Sequence, residues 1–167
     1  MKKLFVVIAI MFLASYGYSQ KFAYINTQAI LAEMPEVKQA NDNIETFRNK
    51  LISLGQQKIE ALQKKYRELE QKQKQGLLSP KQLDEEAAKL KKEEEQLAKF
   101  DQESQQRILE KNEELMKPIR EKIQKAIDEV AKEKGYEYIF DASMGFILYA
   151  DPSTDVSDLV KAKLGIK

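Results

Sequence analysis

The sequence predicts a mainly α fold with a small β-body (α+β), in which a long antiparallel helical hairpin projects from a small sheet. Three observations predict it. A charged run of some 100 residues carries apolar side chains at steps of three and four. That run breaks once, at QGLLSPKQLDEE (residues 75–86), and short β-prone segments lie only near the two ends of the chain.

The break has the chemistry of a hairpin tip. Gly76 can take the left-handed conformation that closes a helix. Ser79, Pro80 and Gln82 then form an N-cap, a proline at the first helical position and a capping-box partner. Leu78 and Leu83 are placed for a hydrophobic staple across the cap.

The outgoing helix is expected from about Glu36, after Met34 and Pro35 end a brief helix that Asn26 or Thr27 caps. Its stripe runs through Ile44, Phe47, Leu51, Ile59, Leu62, Tyr66 and Leu69, narrow enough for a coiled-coil seam. Steps of four from Phe47 through Leu51 and Gly55 to Ile59 mark a stutter. The return helix carries Leu83, Ala87, Leu90, Leu97, Ile108 and Leu115, then Ile119, Ile123, Ile127 and Val130, and Glu94, Asp101 and Asn112 fall in the intervening seam positions. Folding the arms about the tip sets Phe100 opposite Gly55 and Phe47 opposite Ile108. At about 1.5 Å per residue, arms of roughly 35 residues reach on the order of 50 Å.

The ends supply the β-body. Phe22–Ile25, Tyr136–Phe140 and Phe146–Ala150 read as three short strands, the last two separated by the turn Asp141–Gly145. Gly135 caps the long helix, and Thr154 or Asp155 opens a final helix that Gly165 closes. So small a core calls for oligomerisation, and Phe22, Tyr24, Tyr138, Phe140, Ile147 and Tyr149 offer more apolar surface than one sheet can cover. The expected division is a β-body from residues 20–40 and 118–167 and a hairpin arm from 41–117 with its tip at 76–79.

Residues 1–19 have two lysines, an apolar run of about 11 residues and a small-residue end at Gly17 and Ser19, the pattern of a cleaved signal peptide. Of the 28 basic residues this segment holds Lys2 and Lys3, so the remainder carries 26 basic against 27 acidic side chains. That balance argues against nucleic acid as a partner and does not indicate membrane-surface contact. Cysteine and histidine are absent, which excludes disulfides and thiolate chemistry and removes the commonest proton-transfer group and metal ligand. No catalytic residue, cofactor or metal is therefore expected. Glu93–Glu95 and the pair Asp84 and Glu85 read as a solvated face, because adjacent carboxylates diverge around a helix.

Two segments, KFAYINTQAILAEMPEVKQA and KPIREKIQKAIDEVAKEKGYEYIFDASMGFILYADPSTDVSDLV, resemble the Skp/OmpH family of periplasmic chaperones. The resemblance implies a trimer joined by its β-bodies, with three helical hairpins around a cavity. It implies, too, an ATP-independent periplasmic holdase whose partners are its own copies and unfolded outer-membrane proteins. Family members often have strongly basic arms, whereas residues 41–116 here hold 15 basic and 16 acidic side chains. Off the seam, Ile52, Leu54 and Leu109 are the candidates for apolar surface facing a client, and Gly55 and Pro118 are the candidate hinges. A structural or tethering coiled coil of the cell envelope is the alternative function.

Overall fold

The computed structural model describes residues 20–166, and the signal-peptide reading of residues 1–19 lies outside them. The described elements are β1 (Phe22–Ile25), α1 (Thr27–Glu33), α2 (Pro35–Lys74), α3 (Pro80–Lys134), β2 (Tyr138–Asp141) and α4 (Ser157–Leu164). They form two units, Met34–Arg120 on the one hand and, on the other, the chain up to Glu33 together with that from Glu121 onward.

The first unit is a helical hairpin made by α2 and the larger part of α3. At its tip Gly76 has φ 68°. The Leu77 amide donates to the Lys72 carbonyl and the Gly76 amide to Gln73, which satisfies the last carbonyls of α2. Across the turn the Ser79 amide donates to Gln82 Oε1 at 3.0 Å, and the Gln82 amide returns a bond to Ser79 Oγ at 3.4 Å. The expected capping box is thus formed. Leu78 and Leu83 are half-buried while Leu77 is exposed.

Between the arms the buried positions on α2 are Ala40, Ile44, Leu51, Gly55 and Leu62. A heptad separates Ile44 from Leu51 and another separates Gly55 from Leu62, so the change of phase falls on the four-residue step between Leu51 and Gly55. Ile59 and Tyr66, expected in the seam, are more than a third exposed as a consequence. On α3 the seam passes through Leu90, Glu93, Leu97, Phe100, Ser104, Ile108, Lys111 and Leu115. The expected polar positions Glu94, Asp101 and Asn112 lie one step out of that phase and are exposed. The seam polar groups are instead Glu93, whose carboxylate takes Lys65 Nζ from the opposite arm at 2.6 Å, the buried Ser104, and Lys111, which pairs with Glu114 on its own helix.

The second unit joins both ends of the chain. β1 and β2 pair in parallel, with Phe22 beside Tyr138 and Tyr24 beside Phe140. On the other edge of β1 the Val156 amide donates to the Tyr24 carbonyl at 3.0 Å. Strand periodicity sends Ala23 and Ile25 to the covered face, where the unit buries them with Ile30, Ile123, Ala126, Val130, Val156 and Val160.

Two expectations for the sheet are corrected. β2 begins at Tyr138 rather than Tyr136, because the Tyr136 amide is committed to the Ala131 carbonyl in closing α3 around Gly135. The sheet has two strands, and Phe146–Ala150 is not one of them. A strand requires a ladder for its backbone groups, and among the described residues that run has none. The turn itself is a single 3-10 segment, Ala142–Met144, capped by Asp141 and ended by Gly145 at φ 71°. The last helix has Val156 at its N-cap, so neither Thr154 nor Asp155 holds that position as expected, although Asp155 accepts from the Ser157 amide at 2.8 Å.

Candidate functional site

In the unit that contains the sheet, the candidate surface is the sheet's open face. The side chains of Phe22, Tyr24, Tyr138 and Phe140 alternate onto it, opposite the covered Ala23 and Ile25. Phe22 stacks on Tyr138 with centroids 5.6 Å apart and on Phe140 at 6.2 Å. These three rings remain about half exposed, whereas Tyr24 is half-buried. Burial, with the negative charges of Asp155 and Asp151, raises the Tyr24 pKa.

Beside the rings runs Phe146–Ala150. It lines a groove of about 500 Å³ with Phe22, Tyr24 and Phe140. Of the expected body residues here, Ile147 is half-buried and Tyr149 is 84% exposed. Sequence reasoning took alternate positions and passed over Phe146 and Leu148, which are 82% and 97% exposed. The signal was present, since FILY is apolar at every position instead of alternating. The structure thus sets a contiguous aromatic and aliphatic surface beside an irregular apolar run, a larger apolar exposure than scattered surface residues make.

Asp141 fastens this face to the core side. Its carboxylate accepts from the Thr27 hydroxyl, the Thr27 amide at 3.3 Å and the Ser143 amide at 2.9 Å. Burial alone would raise its pKa, but these donors outweigh that and hold it below the ordinary carboxylate value. One side chain therefore ties the first turn of α1 to the end of β2, 114 residues away.

In the hairpin unit, Ile52, Leu54 and Leu109 are exposed, as expected for residues off the seam. Ile52 lies in a shallow groove with Leu51, Gly55, Ile59, Phe100 and Ile108. A methyl at Gly55 would sit 3.5 Å from Phe100 Cε1, so the ring fills the space that the glycine leaves. Lys58 Nζ stands 5.3 Å from the centroid of the same ring. Pro118 is exposed within an uninterrupted α3, and Arg120 reaches Glu113 at 2.6 Å across its turn.

The Phe100 packing has a measurable consequence. Phe100→Ala should lower arm stability by about 1–2 kcal/mol, less than a fully buried ring would cost, because the side chain is only half covered. Hydrogen exchange should quicken around residues 50–60 and 95–105 while β1 and β2 stay protected. Unchanged protection in the arms would separate Phe100 from their packing.

Among the described residues no group of three or more acidic side chains could hold a metal ion, and no helix is long and apolar enough to cross a membrane. Residues 21–164 match the family model described as outer membrane protein (OmpH-like). The chain belongs to the OmpH-like family. An uncharacterised protein of Aquifex aeolicus (strain VF5) is 29% identical over an alignment that covers 98% of this chain and 96% of that one. The crystal structure of a Caulobacter crescentus CB15 protein assigned as an OmpH-like outer membrane chaperone superposes with a TM-score of 0.73 at 15% identity, covering 89% of this chain and 85% of that one. This likeness shows that the OmpH-like protein has that fold, a long helical hairpin with a small parallel sheet.

Proposed function

We infer that this OmpH-like protein is an ATP-independent periplasmic holdase, exported by a cleaved signal peptide, that binds unfolded outer-membrane proteins between helical arms and prevents their aggregation. The observation that carries the reading is the paired exposure of apolar surface, on a sheet face suited to self-association and along the arms outside their narrow seam. The proposed assembly is a homotrimer. Phe22, Tyr24, Tyr138, Phe140, Ile147 and Tyr149 meet between copies, and Phe146–Ala150 finds its missing ladder on a neighbour.

Such a chaperone needs no directional pocket. Ile52, Leu54 and Leu109 are isolated apolar contacts, and a client touching many of them across three arms is held tightly through multivalency. Gly55 and Pro118 are the places where the arms would adapt to client size. Arm charge is nearly balanced and in part paired, as in Lys65 with Glu93 and Lys111 with Glu114, so capture is chiefly apolar.

Dilution of a denatured porin into buffer with the protein tests this. Near-stoichiometric trimer should suppress aggregation without nucleotide, and client affinity should change less than about threefold between low and moderate salt, because screening weakens only charge interactions. Unchanged aggregation would instead favour a tethering coil, and a steep loss of affinity with salt would restore electrostatic capture.

A further inference from the structure

We propose that the mature protein begins with pyroglutamate, formed from Gln20, and that this ring seals the free end of β1. The proposal rests on the export reading, in which cleavage follows Ser19 and leaves Gln20 as the first residue. Glutamine is the one side chain whose terminal carboxamide closes a five-membered lactam with its own α-amine.

The step balances without a co-reactant. The amine lone pair attacks the side-chain Cδ, a new C–N bond forms, and the bond from Cδ to the amide nitrogen breaks. Ammonia then leaves, carrying a proton from the amine. The product is a neutral lactam, and the chain loses its terminal positive charge.

The structure gives that chemistry both room and a purpose. Gln20 is exposed and lies two residues ahead of β1. Immediately after it the chain is fixed, since the Lys21 carbonyl accepts from the Glu137 amide at 3.0 Å and Phe22 opens β1. Only Gln20 and Lys21 separate the new terminus from a four-residue strand. Stepwise trimming would soon take Phe22, whose ring stacks on both Tyr138 and Phe140. An aminopeptidase requires a free α-amine, and the lactam has none. A modification at Gln20 thus protects the sheet that joins the two ends of the chain.

The test is to express the full chain with its own leader in a bacterium, isolate it rapidly in the cold from the periplasm, and sequence its N-terminal peptide by tandem mass spectrometry. The expected peptide begins at residue 20 and is lighter than its sequence by one ammonia. It should resist a broad-specificity aminopeptidase until pyroglutamyl peptidase removes the ring. Gln20→Ala, exported and cleaved alike, should retain a free amine and be trimmed at least tenfold faster. A peptide beginning at Gln20 with an intact amine would overturn the lactam and leave the export reading standing. A chain cleaved at another bond would overturn the lactam alone, and a chain that keeps residues 1–19 would overturn both.

Discussion

Phe140→Asp is expected to leave the chain folded but monomeric, and to abolish holdase activity with the loss of the assembly. The ring is 48% exposed on the open face of the sheet, so a single chain loses little by the change. In the proposed trimer the same position is covered by a neighbouring copy. Desolvating a carboxylate among aromatic rings costs several kcal/mol at each copy. Since about 1.4 kcal/mol is tenfold in an equilibrium constant, dissociation at micromolar concentration should be complete. Analytical ultracentrifugation of the chain lacking residues 1–19 checks it, with circular dichroism as the control for folding. A variant that remains trimeric would remove the aromatic face from the interface, and a monomeric wild type would remove the trimer and the cavity with it.

Asp141→Ala should destabilise the sheet-containing unit by about 3 kcal/mol. Hydrogen bonds to a charged acceptor are worth about 1.5–3 kcal/mol each, and Asp141 accepts from three donors whose partial exposure discounts the sum. The effect has a pH signature. Because the folded-state pKa of Asp141 is lowered, its contribution is fully present above the unfolded carboxylate value of about 4. It fades as pH falls through the lower folded value. Urea unfolding followed by a probe in the sheet should therefore show a gap between wild type and variant that is wide at pH 7 and narrows in acid. A gap independent of pH would mean that packing, not the ionised carboxylate, makes the contribution.

The hairpin was largely legible because its determinants are local. Gly76, Ser79 and Gln82 act within one or two turns, and the helix boundaries follow from Pro35, Pro80 and Gly135 whatever the rest of the chain does. Even the approach of Phe100 to Gly55, 45 positions apart, could be read, since a short turn leaves two stiff helices almost a single register. The phase of the return seam could not. Leu90, Leu97 and Ile108 are too sparse to choose between Glu93 and Glu94 or to place Ser104, and only the facing arm decides which of them turns inward.

By itself, then, the sequence determined helices, caps, the turn and the apolar character of both ends, because each depends on neighbours within a few residues. Tertiary structure alone decided that β1 and β2 run parallel with Phe22 beside Tyr138, and that Asp141 binds Thr27. It decided as well that the apolar run Phe146–Ala150 is left without a partner strand. Strand propensity states that a segment can extend, but a strand exists only where another backbone supplies the opposite half of its hydrogen bonds. For β1 and β2 that half lies more than 100 positions away.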